Sequence, residues 1–282
     1  MSILSIILSS LRQCFKYFKK IYVHLIYLAI ISLISWLFLI TATPAQEYEL
    51  LLQAKVPAPV IATLYAKDAE ILLSLSGQFM GNGDTYDLVQ SQQYLTAALK
   101  IDPQVPFGNY QQARIHFIQA RFPEAIKAVN REILYYPDFS RSYYLRGLIF
   151  GYDKKLSEAA SDFQEFIHRE PLEWAGYVDL SWVLFQMGDF GGIKATIEQI
   201  LPNTRNAWLL NAYGVALLNL GEGEAALEAL NEAKELVSKM TPEQWGRAYI
   251  GNNPDIYEIG LAEMQLNIDE NIERVNNFLS KS

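Results

Sequence analysis

One cysteine stands in the 282 residues of this chain. With Cys14 alone no intramolecular disulfide can form, so cross-links contribute nothing to the stability of the fold. Histidine is nearly as scarce, and only His116 and His168 lie outside the apolar run of residues 21–40. There is no H-E-x-x-H, no cysteine pair, no G-x-S-x-G and no glycine-rich phosphate loop. Zinc hydrolysis, the serine nucleophile elbow and P-loop phosphoryl transfer therefore lack their residues. The loop GNGDTYD holds Asp84 and Asp87 but lacks the ligand spacing and closing glutamate of a calcium loop, and reads as a turn with an acidic helix start. No triad or acid–base pair can be assembled. The expectation is a protein that is not an enzyme and uses no cofactor or metal.

Acidic residues are missing from the first 45 positions, where Arg12, Lys16, Lys19 and Lys20 give +4; the net charge of −8 for the whole chain leaves −12 on residues 46–282. An acidic body of that size excludes nucleic acid as a partner, because phosphates would be repelled. The run IYVHLIYLAIISLISWLFLI, residues 21–40, has no formally charged side chain, and twenty residues at helical rise span about 30 Å. It reads as a transmembrane helix. The preceding residues 1–20 alternate apolar and basic positions like an amphipathic helix on an inner leaflet. The cations before the run place the N-terminus in the cytoplasm and the rest outside it. Small residues Thr43 and Ala45 leave cleavage before Gln46, and a secreted form, as the alternative.

Internal repetition dominates the remainder of the chain. Pro103, Pro137 and Pro171 are 34 residues apart, and each closes a similar apolar run. Ala113, Gly147 and Ser181 keep the same step, with Gly214 following at 33; so do Leu95, Val129, Phe163 and Ile197, followed by Leu230. Helical spacing in two blocks per unit predicts a hairpin whose small residue admits a large one from the second helix. The proline then ends the second helix, because it restricts the residue before it and has no N–H. A single hairpin leaves an apolar face open and must stack, so the fold class is all-α, an α-solenoid of five to six hairpins. His168 falls in the slot of Lys100 and Leu134, the tolerant end of a helix rather than a catalytic position, while His116, in the slot of Phe150, Leu184 and Leu217, should face the packed interior.

This period, with small residues at the crossings and a terminal proline, resembles the tetratricopeptide repeat family. The resemblance covers residues 72–240 as units 72–105, 106–139, 140–173, 174–206 and 207–240, after a linker and leading helix at 41–71. An insertion and capping helices occupy 241–282. The resemblance implies a concave groove lined by the first helix of each hairpin. Carried onto this chain, it is formed by Tyr110, Arg114, Phe117, Tyr144, Leu148, Tyr152, Val178, Asp179, Trp182, Phe185, Asn211 and Val215. The family's clamp for chaperone tails is not expected, because the corresponding slots hold Tyr110, Arg114, Leu145, Ala175 and Asp179, and the last would repel a carboxylate. The reading is a membrane-anchored scaffold that binds a protein or peptide in an aromatic groove on the extracytoplasmic side, for example in envelope complex assembly. A groove for an apolar small molecule or lipid is the alternative.

Overall fold

The computed structural model describes residues 43–81, 86–248 and 253–281. Two compact units divide the chain at residues 64 and 65. In the first, the described residues form α1 (Pro44–Gln53) and α2 (Ala58–Leu64). Thr43 and Gln46, which flank the alternative cleavage point, form a capping box that opens α1.

The second unit is an all-α stack of five hairpins. These are α3 (Ala69–Gln78) with α4 (Leu88–Ile101), α5 (Gly108–Ile118) with α6 (Phe122–Tyr135), and α7 (Ser140–Tyr152) with α8 (Leu156–Arg169). They continue with α9 (Trp174–Met187) and α10 (Phe190–Ile200), then α11 (Ala207–Asn219) and α12 (Gly223–Ser238). A short α13 (Pro242–Gly246) and the long α14 (Tyr257–Leu279) follow.

Three features recur at the repeat step and explain the stack. Asp102, Tyr136 and Glu170, each before a proline, leave the helical region with φ near −130° and end α4, α6 and α8. Six residues after each proline a side chain donates to the proline carbonyl: Asn109 Nδ2 to Pro103 at 3.1 Å, Tyr143 Oη to Pro137 at 3.2 Å and Tyr177 Oη to Pro171 at 3.0 Å. The turn inside a hairpin needs one left-handed residue, supplied by Ala120, Lys154, Gly188 and Gly221. Only the last two avoid the steric cost that a β-carbon meets there.

The small residue at the crossing does what the spacing implied. A β-carbon on Gly147 would lie 2.9 Å from the Phe163 ring, and one on Gly214 would lie 2.5 Å from Leu230 Cγ. The two helices of a hairpin bury different surfaces. α8 presents one apolar stripe, Ala159, Phe163 and Phe166, whereas α7 buries Ser142, Leu145, Gly147, Leu148, Ile149 and Gly151 around much of its circumference. The first helices are therefore sandwiched between neighbours. Leu148, Phe163, Leu180, Val183, Ile197 and Leu209 form one continuous core across hairpins three to five, and Trp245, Tyr257, Leu261 and Ile268 extend it beyond α12.

Several expectations are corrected. Among the described residues no helix is long and apolar enough to cross a membrane. Even α14, at 23 residues, carries charged side chains along its length, among them Glu258, Glu263, Asp269, Glu273 and Arg274. The run 21–40 and the amphipathic stretch before it lie outside the described residues. Single-pass anchoring, a cytoplasmic N-terminus, an extracytoplasmic body and a membrane partner find no support in the described helices. His116 is half-buried, and its neighbour Ile115 takes the core position. Lys100, Leu134 and His168 are all exposed in the last turns of their helices.

Gly147→Val should destabilise the chain by about 1–3 kcal/mol in denaturant unfolding, because the added carbons enter the space of the Phe163 ring. Lys154→Gly should act in the opposite direction by about 0.5–1 kcal/mol, since it releases a left-handed non-glycine residue on an exposed turn.

Candidate functional site

The first helices of the hairpins bring three adjoining cavities to one face of the stack. The central one, about 350 Å³, is lined by Phe117 of α5, by Tyr144, Leu148 and Tyr152 of α7, by Trp174, Ala175, Val178, Asp179 and Trp182 of α9, by Trp208 of α11 and by Ala248. A second, about 540 Å³, continues from Val178, Trp182 and Trp208 to Phe185, Asn211 and Val215, and its far wall is α14 with Gly260, Glu263, Met264 and Asn267. The third, about 490 Å³, leaves the centre at Tyr144 and Trp174 and holds Tyr110, Arg114, Arg141, Glu173 and Arg247.

All twelve residues expected to line a groove face these three cavities. They are not equally open. Tyr152 and Phe185 are about half exposed, at 53% and 49%, whereas Leu148 is buried at 9%. The rings pack on one another as well as on the cavity. Phe117 and Tyr152 meet edge to face at 5.3 Å, Tyr152 and Trp182 lie 5.2 Å apart, and Tyr110 meets Phe139 at 5.1 Å.

Asp179 is the one acidic side chain of the central cavity. Tyr144 Oη donates to its Oδ2 at 2.5 Å, the short distance of a charge-assisted bond. No ion pair to Asp179 occurs among the described residues. Burial pushes its carboxyl up from the ordinary 3.8 to about 6, against the smaller lowering from Tyr144. Burial, and then the neighbouring Asp179, hold the Tyr144 phenol well above its usual range, so it remains a donor. In the third cavity, desolvation lowers Arg114, with Tyr110 and Tyr86 opposing. At the head of α5, Glu132 is wholly buried yet accepts from the N–H groups of Phe107 at 2.8 Å and Tyr110 at 3.1 Å. This carboxylate from α6 caps the helix that carries Tyr110, Arg114 and Phe117.

Several lining residues were not expected. Trp174 and Trp208 stack at 5.2 Å and 24°; the step between their units is 33, which puts Trp208 one position past the slot of Trp174, so the repeat signalled only that both open a first helix. Ala248, Arg247 and the inner side of α14 had no such signal, because they follow the last repeat. Their placement depends on a reciprocal lock in which the Trp245 ring occupies the space a side chain at Gly260 would fill, and Tyr257 does the same at Gly246. Among the described residues no group of three or more His, Cys, Asp or Glu could hold a metal ion. Asp84 lies outside the described residues, while Asp87 caps α4 through the N–H groups of Val89 and Gln90.

No family model matches the sequence, and neither does any curated protein. Solved structures do match in fold. A MamA protein superposes with a TM-score of 0.51 at 17% identity, over 61% of this chain and 92% of its own. A tetratricopeptide repeat protein from Parabacteroides merdae gives 0.51 at 15%, over 76% and 91%. YrrB, a TPR protein with an unusual peptide-binding site, gives 0.50 at 14%, over 63% and 91%. At these identities the likeness establishes a TPR-like α-solenoid and nothing finer.

Asp179 provides a direct test of the site's electrostatics. Its folded carboxyl titrates above the unfolded one, so the folded state binds more protons between about pH 4 and 6. This contribution to stability is complete below about pH 4 and is lost as pH rises through about 6. Asp179→Asn should therefore match the parent in denaturant unfolding at pH 4 and exceed it by about 1–2 kcal/mol at pH 7.5, a figure discounted for the water that reaches the cavity.

Proposed function

We propose that this chain is a scaffold that binds a protein or peptide segment along the inner face of its solenoid. The observation that carries the reading is the continuity of the three cavities. Tyr144 and Trp174 line both the central and the arginine-bearing cavity, and Val178, Trp182 and Trp208 line both the central cavity and the one walled by α14. An extended segment needs such a row of connected pockets, each able to take one side chain. Half-buried tyrosine and tryptophan rings provide large contact area with little entropy to lose on binding. The side chains also suit a peptide better than a purely apolar ligand, because Asp179, Asn211, Glu263 and Asn267 are spread among the rings. YrrB, similar in fold, is described as having an unusual peptide-binding site, which supports the class of ligand but not its sequence. The body's net charge of −12 favours encounter with basic partners.

Selection of displayed peptides on the full chain, followed by photocrosslinking from positions 152, 185 or 127, tests the proposal. Selected peptides should label the protein from positions 152 and 185 and not from 127, which is exposed on the outer helix α6. Trp182→Ala should weaken them by about tenfold or more. Equal labelling from position 127, or failure to enrich any sequence, would count against the groove.

A further inference from the structure

The central cavity differs from its neighbours in the sign and setting of its charge. Asp179 projects into a space walled by Tyr144, Tyr152, Trp174, Trp182 and Trp208. The rings stand in two groups: Trp174 stacks on Trp208 at 5.2 Å, and Tyr152 lies 5.2 Å from Trp182. Tyr144 occupies one carboxylate oxygen, at 2.5 Å, and leaves the other for a ligand. Asp179 has no ion-pair partner among the described residues, although Arg141 and Arg247 stand in the adjoining cavity. From these observations we infer that the cavity is a binding site for an organic ammonium group, held between the aromatic faces and countered by the Asp179 carboxylate.

The chemistry selects that class over others. An aromatic face attracts a cation through its quadrupole, more strongly where water is excluded, and alkyl groups on the nitrogen match the apolar walls. A hard metal ion needs several oxygen ligands, and no cluster of three or more metal-binding side chains exists among the described residues. A neutral apolar ligand would leave the carboxylate without a counter-charge in a partly desolvated place. A volume of about 350 Å³ also exceeds what a single water or bare ion fills, and lies at the small end of ligand cavities. Two sources offer this chemistry, a free small amine and the lysine side chain of a bound protein, plain or methylated. The inference goes beyond the scaffold reading and stands without it, since a free amine requires no peptide.

The test is a calorimetric and tryptophan-fluorescence titration of the full chain. The probes are choline, its neutral isostere 3,3-dimethylbutan-1-ol, and a short peptide containing trimethyllysine. Saturable binding of choline or of the peptide is expected, with the alcohol weaker by about tenfold. Asp179→Asn, which keeps the volume and removes the charge, should weaken the cations by a similar factor and leave the alcohol unchanged. Binding of choline alone assigns the site to small amines, and binding of the peptide alone assigns it to a side chain. Equal affinity for the alcohol, unaltered cation affinity in Asp179→Asn, or no saturation by either cation would overturn the inference. Should the variant fail to fold, the comparison of choline with its isostere on the parent chain decides alone. A chain that binds choline but no displayed peptide would separate this site from the scaffold reading.

Discussion

The close crossing inside a hairpin, seen at Gly147 and Gly214, is the constraint on which the rest depends. A residue with little or no side chain on the first helix faces a large one on the second, as Gly147 faces Phe163 and Gly214 faces Leu230. That contact sets the separation of the helices, and close-packed interiors tolerate little change in it. Once the separation is set, the proline-ended second helix and the side-chain bond to the proline carbonyl position the next hairpin. The stack is built by repeating one local solution, so each unit's stability rests largely on its nearest neighbours. This suits a chain that cannot form an intramolecular disulfide.

The cavities are a consequence of that geometry. The first helices are covered by neighbouring hairpins on two sides and leave a third side free, where their tyrosines and tryptophans collect. A carboxylate placed among those rings is costly, and the rise of Asp179 to about 6 reflects that cost. Proteins keep unfavourable groups chiefly where function needs them, which makes Asp179 more informative than the apolar residues around it. The contrast with Arg146 and Asp162 is useful. That pair is bidentate at 2.8 Å, with Asn130 accepting a further bond, and nothing there is left to receive a ligand.

Much of the lining of the cavities was legible before the structure. The 34-residue step aligned Arg114, Leu148 and Trp182 as one slot and Tyr110, Tyr144 and Val178 as another, and the structure places all six along the same face. The 33-residue step after the third of those units puts Trp208 one position past the slot of Trp174, so the stacking of these two rings was hidden. The inner side of α14 and Ala248 could not be read in this way. They belong to no repeat, and they reach the cavities through contacts such as Trp245 on Gly260, which join residues without any periodic relation. His116 shows the limit within the repeats, because its slot is buried at Leu184 and Leu217 but only half-buried here, beside the fully buried Ile115.

What the sequence determined by itself was the repeat, and with it the hairpins, their crossings and their order. Helix period, small-residue spacing and proline position are local properties, and a solenoid makes mostly neighbouring contacts, so local signals were enough. The tertiary structure decided which rings become cavity walls and where the last helix lies. It also left Asp179 with a tyrosine and no cation. Those outcomes depend on side chains from several hairpins meeting at angles accumulated along the stack, a quantity no single repeat encodes. Length and apolarity alone make the charge-free run of residues 21–40 look like a membrane helix; that run lies outside the described residues, and among these no helix is long and apolar enough to cross a membrane.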